Sequence, residues 1–287
     1  MVTALIVEDD PDQAELAASF LRLRDLKSIL AADGQTALEL ARTRHFDVIL
    51  LDLMLPDIDG YEVCRRLRAD RELLSTPVVM LTALNGEEQR RHGFRVGANV
   101  YLTKPYGAHE LFDAIAAALR WQDDMLSERM QGEIHVELHS ATRFLREVNH
   151  FLVDLYRYTP LTAEQIQQLQ QAVLEIGQNA IEWGNRQRIE DLVHLTYRVY
   201  EDRIEIVIQD QGPGFNRNDL PHAASYDDPL AHMDVREQLG LREGGFGLLI
   251  SRGMVDELRY NDAGNQVTLI KRFPSDGVPA PQPEPPR

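Results

Sequence analysis

Residues 47–53 read DVILLDL, a short apolar run that ends in an acidic residue, Asp52. Four similar runs occur in the first half of the chain, and stretches with the apolar spacing of amphipathic helices separate them. Apolar runs that alternate with helices are typical of a parallel sheet covered on both faces. We therefore predict an α/β domain with a doubly wound, parallel, five-stranded sheet. The other runs are residues 3–9, 27–32, 76–83 and 99–105, and the helices are predicted near residues 11–24, 34–44, 58–69, 84–96 and 107–130.

Polar side chains follow four of the predicted strands, at the edge where ligands of such sheets bind. Carboxylates that converge there repel one another unless a hard cation such as Mg²⁺ lies between them. A carboxylate beside Mg²⁺ can form an aspartyl phosphate, and a hydroxyl and an ammonium group can contact the phosphoryl oxygens. Helix capping would explain Asp9 or Asp10 but not the remaining set. In chain order, these polar residues are Glu8, Asp9, Asp10, Asp52, Thr82 and Lys104.

Residues 1–122 resemble the receiver domain of two-component response regulators. Four pieces carry the resemblance, VEDD at 7–10, LLDLMLPDIDG at 50–60, LTA at 81–83 and YLTKPY at 101–106. The resemblance implies a cytoplasmic signalling protein that receives its phosphoryl group from a cognate sensor histidine kinase.

The receiver resemblance also implies a role for each matching residue. Asp52 would be the phosphoacceptor, and Thr82 and Tyr101 would form the switch pair. Lys104 would contact the phosphoryl group, and the Lys104–Pro105 bond would be cis. Asp10 is one acid more than the pattern needs. The magnesium ligands would be Glu8, Asp9, Asp52 and the backbone carbonyl of Met54.

The segment after the receiver pattern predicts a long continuation of its last helix. Residues 110–131 contain neither proline nor glycine, and Gly132 is expected to break the helix. We assign residues 123–132 as a helical linker. The extension is expected to couple the two halves rigidly, to pair with its copy in a homodimer, or to act only as a solvated connector. His109 opens the helix and is interpreted as structural.

The second half of the chain predicts a different architecture. Residues 140–156 and 162–183 have helical periodicity, with Ser140 as N-cap of the first helix and Thr162 and Gln165 as a capping box of the second. The segments 133–138, 192–200 and 203–210 alternate as strands do, and the last two are predicted to pair antiparallel. We predict an α/β sandwich with a helix layer on one face of a mixed sheet.

Three polar or glycine-rich segments in this half are candidates for ligand binding. Glu175 and Asn179 stand four residues apart on one side of a helix, outside its apolar stripe, and the helix stops at Gly184. Asp210 ends a strand and is followed by QGPGF, whose glycines permit close backbone approach. The segment 243–254, EGGFGLLISRGM, places glycines at a helix start, where free N–H groups suit phosphate. A solvated helix face would explain the first segment alone, but the three together indicate a nucleotide site.

Residues 133–273 resemble the ATP-binding fold shared by gyrase, mismatch-repair ATPases and histidine kinases (the GHKL or Bergerat type), in the branch of the anti-sigma-factor serine kinases. The resemblance implies that Glu175 is the general base and that Asn179 coordinates the Mg²⁺ bridging the ATP phosphates. It implies a lid at 216–243, in which Arg242 is either a phosphate contact or a solvated side chain. Asp210 would accept from the adenine amino group, Gly212 and Gly214 would shape the base pocket, and Gly245 and Gly247 would wrap the phosphates.

Two positions depart from the pattern of that branch. Trp183 precedes Gly184 where the family commonly has histidine, and Phe246 stands where smaller or aliphatic residues are usual. Neither change removes a ligating group. ATP binding is therefore still expected, whereas the rate of turnover does not follow from the sequence.

Composition excludes several classes of protein. The net charge is −16 and the pI is about 5.0, which argues against direct binding of nucleic acid or of an anionic membrane. No stretch of the sequence approaches the about 20 apolar residues of a membrane span. The single cysteine, Cys64, excludes an internal disulfide and is expected in the core. The proline-rich residues 274–287 are expected to be disordered.

Two functions follow from these expectations. In the first, phosphorylation of Asp52 controls an ATP-dependent serine/threonine kinase of the anti-sigma type, which modifies an anti-anti-sigma (STAS-type) protein and sequesters a sigma factor. In the second, the ATP-binding half is a non-catalytic switch that binds nucleotide and a partner. Phosphotransfer to the chain's own Asp52 is disfavoured because a histidine relay is missing.

Overall fold

The computed structural model describes residues 2–83, 94–214 and 253–274. The chain divides into two units, Met1–His135 and Val136–Arg287. Within the described ranges, no helix is both long enough and apolar enough to span a membrane.

The first unit contains the predicted parallel sheet, with helices between its strands. The sheet has five strands in the order β2-β1-β3-β4-β6, and all of its pairs are parallel. Its register sets Asp52 beside Leu81 and Ala83 beside Lys104, so the carboxyl ends of these strands share one edge. The elements are β1 (Thr3–Val7), α1 (Pro11–Arg22), β2 (Lys27–Ala31), α2 (Gly34–Thr43), β3 (Val48–Asp52), α3 (Gly60–Ala69), β4 (Val78–Ala83), β5 (Phe94–Val96), β6 (Val100–Lys104) and α4 (Ala108–Ser127).

Burial explains why the central strands are almost entirely apolar. Every residue of β3 is buried, Asp52 included, because helices cover both faces of the sheet. Cys64 on α3 is fully buried, as expected, and donates from its thiol to the Gly97 carbonyl at 3.5 Å. Burial raises the pKa of this thiol.

The helix expected near residues 84–96 is wrong at its end. Residues 84–93 lie outside the described ranges, and Phe94–Val96 form the strand β5 instead. The strand is continued by Gly97, whose N–H donates to the His135 carbonyl at 2.7 Å. A three-residue strand of this kind depends on a partner far along the chain, which helical periodicity does not report.

The helical linker expected at residues 123–132 is also wrong in part. Helix α4 ends at Ser127, Arg129 adopts a left-handed φ of 57°, and the strand β7 begins at Met130. Gly132 does not break a helix but lies inside β7, where a Cβ would stand 2.3 Å from Leu74 Cγ. The strand conformation places Met130 and Ile134 in the core, and this burial favours it over a longer helix.

The second unit combines a sheet with two long helices. Strand β7 (Met130–His139) crosses the division between the units, and the strands of this unit follow the order β10-β11-β9-β8-β7. The pairs β8–β9, β9–β11 and β10–β11 are antiparallel, as predicted for the first of them. The remaining elements are α5 (Thr142–Tyr156), α6 (Ala163–Asn179), a π-helical turn (Ala180–Gly184), β8 (Leu192–Tyr200), β9 (Arg203–Gln209), β10 (Glu257–Tyr260) and β11 (Gln266–Arg272).

Helices α5 and α6 pack together, and α6 lies over β11. The Lys271 ammonium of β11 donates to Gln168 of α6 at 2.9 Å. The predicted capping box is present, because Gln165 N–H donates to Thr162 and Thr162 N–H to the Gln165 side chain. Ser140 was expected to cap α5, but the cap is Ala141 and the buried Ser140 hydroxyl donates to the Asp191 carbonyl at 2.7 Å.

Candidate functional site

The first candidate site lies at the carboxyl edge of the parallel sheet. Lys104 Nζ is 2.7 Å from Glu8 Oε2 and 3.0 Å from Asp52 Oδ2, and both carboxylates are buried. Ligand oxygens of Glu8, Asp9 and Asp52 lie within 4.8 Å of one another. Oxygen ligands of this number and charge suit Mg²⁺, which retains waters at its other positions.

Burial and charge act in opposite directions on these groups. Burial raises the pKa of Glu8, and the hydrogen bond from Lys104 only partly offsets this effect. Burial also disfavours the charged form of Lys104, but its hydrogen bond to Glu8 and the charge of Asp52 outweigh this, so the pKa of Lys104 is raised. The site therefore holds a fixed cation between two carboxylates.

Asp10, the additional acid of the sequence, has a different position from the other three. Its carboxylate caps α1 by accepting from the N–H groups of Asp12 at 2.9 Å and Gln13 at 3.2 Å. These two hydrogen bonds lower the pKa of Asp10. Asp10, the acid that the metal pattern does not need, therefore serves as the N-cap of α1.

The loop after β3 folds back over the Asp52 backbone. Gly60 N–H donates to the Leu53 carbonyl at 2.9 Å, and a Cβ at Gly60 would lie 2.4 Å from the Asp52 carbonyl oxygen. Only glycine permits this approach. Met54, whose carbonyl is the expected ligand, lies in this loop with an exposed side chain. Gly60 was not among the predicted site residues, although it is the last residue of the motif LLDLMLPDIDG at 50–60.

Thr82 and Tyr101 lie on the adjacent strands β4 and β6, but they are not paired with each other in the strand register. Thr82 is in register with Thr103, and Tyr101 with Met80. The ring of Tyr101 is half-exposed, and its hydroxyl accepts from Ala98 N–H at 3.3 Å. The Lys104–Pro105 bond is cis, as the resemblance implied.

The second candidate site begins at the end of α6. Glu175 and Asn179 are both partly buried, and Asn179 is the last residue of the helix. Of their neighbours on this side, Ala172 is fully buried and Trp183 is exposed, so the face is partly solvated. Beyond Asn179 the helix widens, since Asn185 N–H donates to the carbonyl of Ala180, five residues earlier, at 2.8 Å. Such π turns are frequent at functional sites.

Asp210, Gly184 and Gly212 are in direct contact. A Cβ at Gly184 would lie 2.2 Å from Asp210 Cγ, and one at Gly212 would lie 2.3 Å from the Gly184 carbonyl oxygen. Gly212 N–H donates to Asp210 Oδ1 at 2.8 Å. Burial raises the pKa of Asp210, and the hydrogen bond from Gly212, which lowers the pKa, offsets burial only in part. The π-helical turn that follows α6 therefore ends at a glycine, because the Asp210 side chain occupies the space beside Gly184.

The turn between β10 and β11 supports the same segment from another direction. Asp210 N–H donates to the Asn265 carbonyl at 3.0 Å. Gly214 has φ +75°, and a Cβ there would lie 1.8 Å from the Ala263 carbonyl oxygen. Gly214 is thus required both by its backbone conformation and by the neighbouring turn.

Several expected residues of this site lie outside the described ranges. They are Arg242, Gly245, Phe246, Gly247 and the lid at 216–243, together with residues 275–287 of the expected tail. The described part of the site therefore comprises the end of α6, the π-helical turn and residues 210–214.

Sequence reasoning missed Asn185 and Asn265. Asn185 is fully buried with hydrogen bonds to three segments, and Asn265 contacts Asp210 and Gly212. The only local signal for Asn185 is a polar residue immediately after the helix-ending Gly184.

Comparison with known proteins gives a separate match for each half. Residues 4–116 match the family described as response regulator receiver domain, and residues 138–271 match the family described as histidine kinase-like ATPase domain. Among curated proteins, the DNA-binding dual master transcriptional regulator RpaA of Synechocystis sp. is 39% identical over 134 residues, which cover 47% of this chain and 56% of RpaA. The sensory transduction protein RegX3 of Mycobacterium tuberculosis is 41% identical over 132 residues, which cover 46% of this chain and 57% of RegX3.

The chain thus spans little more than half the length of these curated relatives. Among solved structures, the chemotaxis response regulator CheY4 of Vibrio cholerae is 29% identical, with a TM-score of 0.38, and the match covers 42% of this chain and 99% of that one.

Proposed function

Because the chain joins a response regulator receiver domain to a histidine kinase-like ATPase domain, we propose that phosphorylation of Asp52 controls an ATP-dependent serine/threonine protein kinase of the anti-sigma type. The observation that carries the output side of this proposal is the contact of Asp210 with Gly184 and Gly212. It joins the adenine-binding acid to the end of the helix that bears Glu175 and Asn179.

On the input side, a sensor histidine kinase donates a phosphoryl group to Asp52. Glu8, Asp9, Asp52 and the Met54 carbonyl would hold Mg²⁺, and the bound ion would supply positive charge to the phosphoryl oxygens. The Asp52 carboxylate attacks phosphorus as the bond to the histidine nitrogen breaks. Lys104, already 3.0 Å from Asp52, neutralises the negative charge that develops on the phosphoryl group.

On the output side, Asp210 accepts a hydrogen bond from the adenine amino group. Asn179 would hold the Mg²⁺ that accompanies ATP, and Gly245 and Gly247 would approach its phosphates. Glu175 removes the proton from a serine or threonine hydroxyl of the partner as that oxygen attacks the terminal phosphorus of ATP, and the bond from this phosphorus to the bridging oxygen breaks to release ADP. Glu175 and Asn179 are four positions apart on the helix, which sets the base and the metal ligand on the same side.

The arrangement of the chain supports a serine/threonine kinase over a histidine kinase. In the fully described range 94–214, α4 ends at Ser127 and β7 begins at Met130, so no two-helix phosphotransfer unit stands between the two domains. The net charge of −16 favours protein partners over nucleic acid. We propose an anti-anti-sigma (STAS-type) protein as substrate and a sigma factor as the second partner.

The test is transfer of label from ATP to candidate partner proteins in the presence of Mg²⁺. We expect Glu175→Gln to lower the rate of transfer about 100-fold or more, the usual contribution of a general base, with little change in ATP affinity. Glu147→Gln, which removes an exposed carboxylate on α5, is the matched control and should leave the rate unchanged.

Other outcomes identify other functions. Tight ATP binding without transfer to any partner would replace the kinase by a non-catalytic, phosphorylation-gated switch. Label that appears on the chain itself and disappears in Asp52→Asn would indicate phosphotransfer to its own receiver.

A further inference from the structure

Asn185 is a polar residue without any exposed surface, and its backbone N–H and every polar group of its side chain are paired. Its carbonyl Oδ1 accepts from Gln211 N–H at 2.8 Å. Its amide Nδ2 donates to Ser140 Oγ at 2.8 Å and to the Leu192 carbonyl at 3.0 Å. An asparagine amide has two donor hydrogens and one acceptor oxygen, and each of these three groups is engaged in a hydrogen bond here.

These hydrogen bonds make Asn185 the junction of four segments. Its backbone ends the π turn, and its side chain contacts the residue before α5, the first residue of β8 and the residue after Asp210. Buried polar networks that are fully satisfied favour a single arrangement, because each unpaired group would cost free energy.

The contact with Gln211 lies directly beside the base-binding acid. Three consecutive N–H groups have assigned acceptors: Asp210 N–H donates to the Asn265 carbonyl, Gln211 N–H to Asn185, and Gly212 N–H to the Asp210 carboxylate. The Gln211 side chain also accepts from Leu192 N–H at 3.2 Å. The backbone from 210 to 212 is thus held from both sides, and the direction of the Asp210 carboxylate is set by this backbone.

We propose that Asn185 is a positioning residue for recognition of the purine amino group. By holding Gln211, it fixes the Asp210 carboxylate in the direction needed to accept from an exocyclic amino group, without contacting the nucleotide itself. The inference rests on the proposed function, namely that Asp210 binds the adenine of ATP. The preference for adenine is thus assigned to two residues, Asp210, which contacts the base, and Asn185, which does not.

The experiment compares the affinities of the full chain for ATP and for inosine triphosphate, in which a carbonyl replaces the exocyclic amino group. A site built to pair with an amino group rejects the analogue that lacks it. We expect Asn185→Ala to weaken ATP binding about tenfold or more and to change the affinity for inosine triphosphate little, so that the ratio of the two affinities falls. Asp210→Asn should lower the same ratio.

Ser140→Ala is the matched control, since it removes one partner of the Asn185 amide and leaves the bond to Gln211 in place. It should lower the melting temperature but preserve the preference for ATP. If Asn185→Ala does not fold, we expect Asn185→Ser to lower the ratio of the two affinities in the same way, because the serine side chain is too short to reach the Gln211 amide.

Equal losses of affinity for both nucleotides in the Asn185 variants would overturn the positioning role, since they would indicate general damage to the fold. A wild-type chain that binds ATP without preferring it to inosine triphosphate would also overturn it. A wild-type chain that binds neither nucleotide would instead overturn the proposed function, and the positioning role with it.

Discussion

At the scale of single residues, Lys104 decides the electrostatics of the receiver site. Two buried carboxylates, Glu8 and Asp52, would repel each other strongly at this separation without a compensating charge. The Lys104 ammonium lies within 3.0 Å of both, and its raised pKa keeps it charged at neutral pH. The site is therefore prepared for the added negative charge of a phosphoryl group on Asp52.

Replacement of Asp52 tests this assignment directly. We expect Asp52→Asn to reduce labelling by acetyl phosphate to background, because the amide lacks a nucleophilic carboxylate oxygen. ATP affinity should change by less than about twofold, since the second site lies on other residues. The measurement is radiolabel incorporation together with calorimetric ATP binding.

A suitable control for this prediction is Asp25→Asn. Asp25 has a φ of 55°, a conformation that asparagine adopts readily, so the change removes one carboxylate without backbone strain. Undiminished labelling of Asp52→Asn would contradict the assignment of the phosphoacceptor.

In the proposed nucleotide site, the residue whose replacement gives the equivalent test is Gly184. We expect Gly184→Ala to weaken ATP binding about tenfold or more, because overpacking against the Asp210 carboxyl costs about 1–3 kcal/mol. Gly253→Ala is the matched control, since none of the residues that the structure describes lies within 4 Å of the added methyl group. Equal ATP affinities of the two variants would show that Asp210 has no part in binding.

At the scale of elements, α2 shows how two acids share one helix terminus. The first N–H groups of a helix have no partner within it. Asp33 accepts from Thr36 N–H at 2.7 Å, whereas Asp57, from the loop after β3, accepts from Gly34 at 2.9 Å and Gln35 at 2.8 Å. This cap ties the loop that follows Asp52 to a different helix, α2.

The cap formed by Asp57 should depend on pH. Burial opposes ionisation more than any single hydrogen bond favours it, but the hydrogen bonds from Gly34, Ile58 and Gln35 together outweigh burial and lower the pKa of Asp57. A carboxylate with a lowered folded-state pKa stabilises the protein above its unfolded pKa of about 4, and this stability is lost as pH falls through the folded pKa.

We therefore expect Asp57→Ala to lower the melting temperature by a few degrees at pH 7 and to match the wild type more closely below about pH 4. Scanning calorimetry across this range provides the measurement. Glu39→Ala, which removes an exposed carboxylate from the same helix, should show no comparable pH dependence. A difference that stays constant with pH would exclude the ionised cap as its cause.

The elements also show which features follow from sequence. Apolar runs and helical periodicity predicted the strands of the parallel sheet and α6, since both patterns are local. The predictions for β5 and for the end of α4 were wrong, because both elements depend on contacts between distant segments. Gly97 pairs with His135, and Gly132 packs on Leu74. Asn185 was missed for the same reason, as its partners are Ser140, Leu192 and Gln211.

At the scale of the whole molecule, the two candidate sites belong to different units but follow one rule. The first lies at the ends of β1, β3 and β6, and the second at the end of β9. In both, a strand delivers an acid, Asp52 or Asp210, and a glycine gives the neighbouring backbone room to approach it. The acid binds a phosphoryl group in one proposed site and a base in the other.

Hydrogen exchange on the full chain should distinguish the two sites. We expect ATP with Mg²⁺ to slow exchange at the end of α6 and at residues 210–214, because bound ligand stabilises the segments that it contacts. Beryllofluoride with Mg²⁺, an aspartyl-phosphate mimic, should slow exchange at the ends of β1 and β3. Protection by ATP at the receiver strands alone would contradict the assignment of the second site.

The burial of Cys64 has a practical consequence for measuring how the signal passes along the chain. Maleimide reagents attack exposed thiolates, and the only native thiol is enclosed and held protonated. Cysteines introduced at exposed positions such as Glu72 and Glu190 would therefore accept spin labels or fluorophores selectively, and Cys64 would not have to be replaced. The distance between two such labels could then be measured before and after addition of beryllofluoride or ATP.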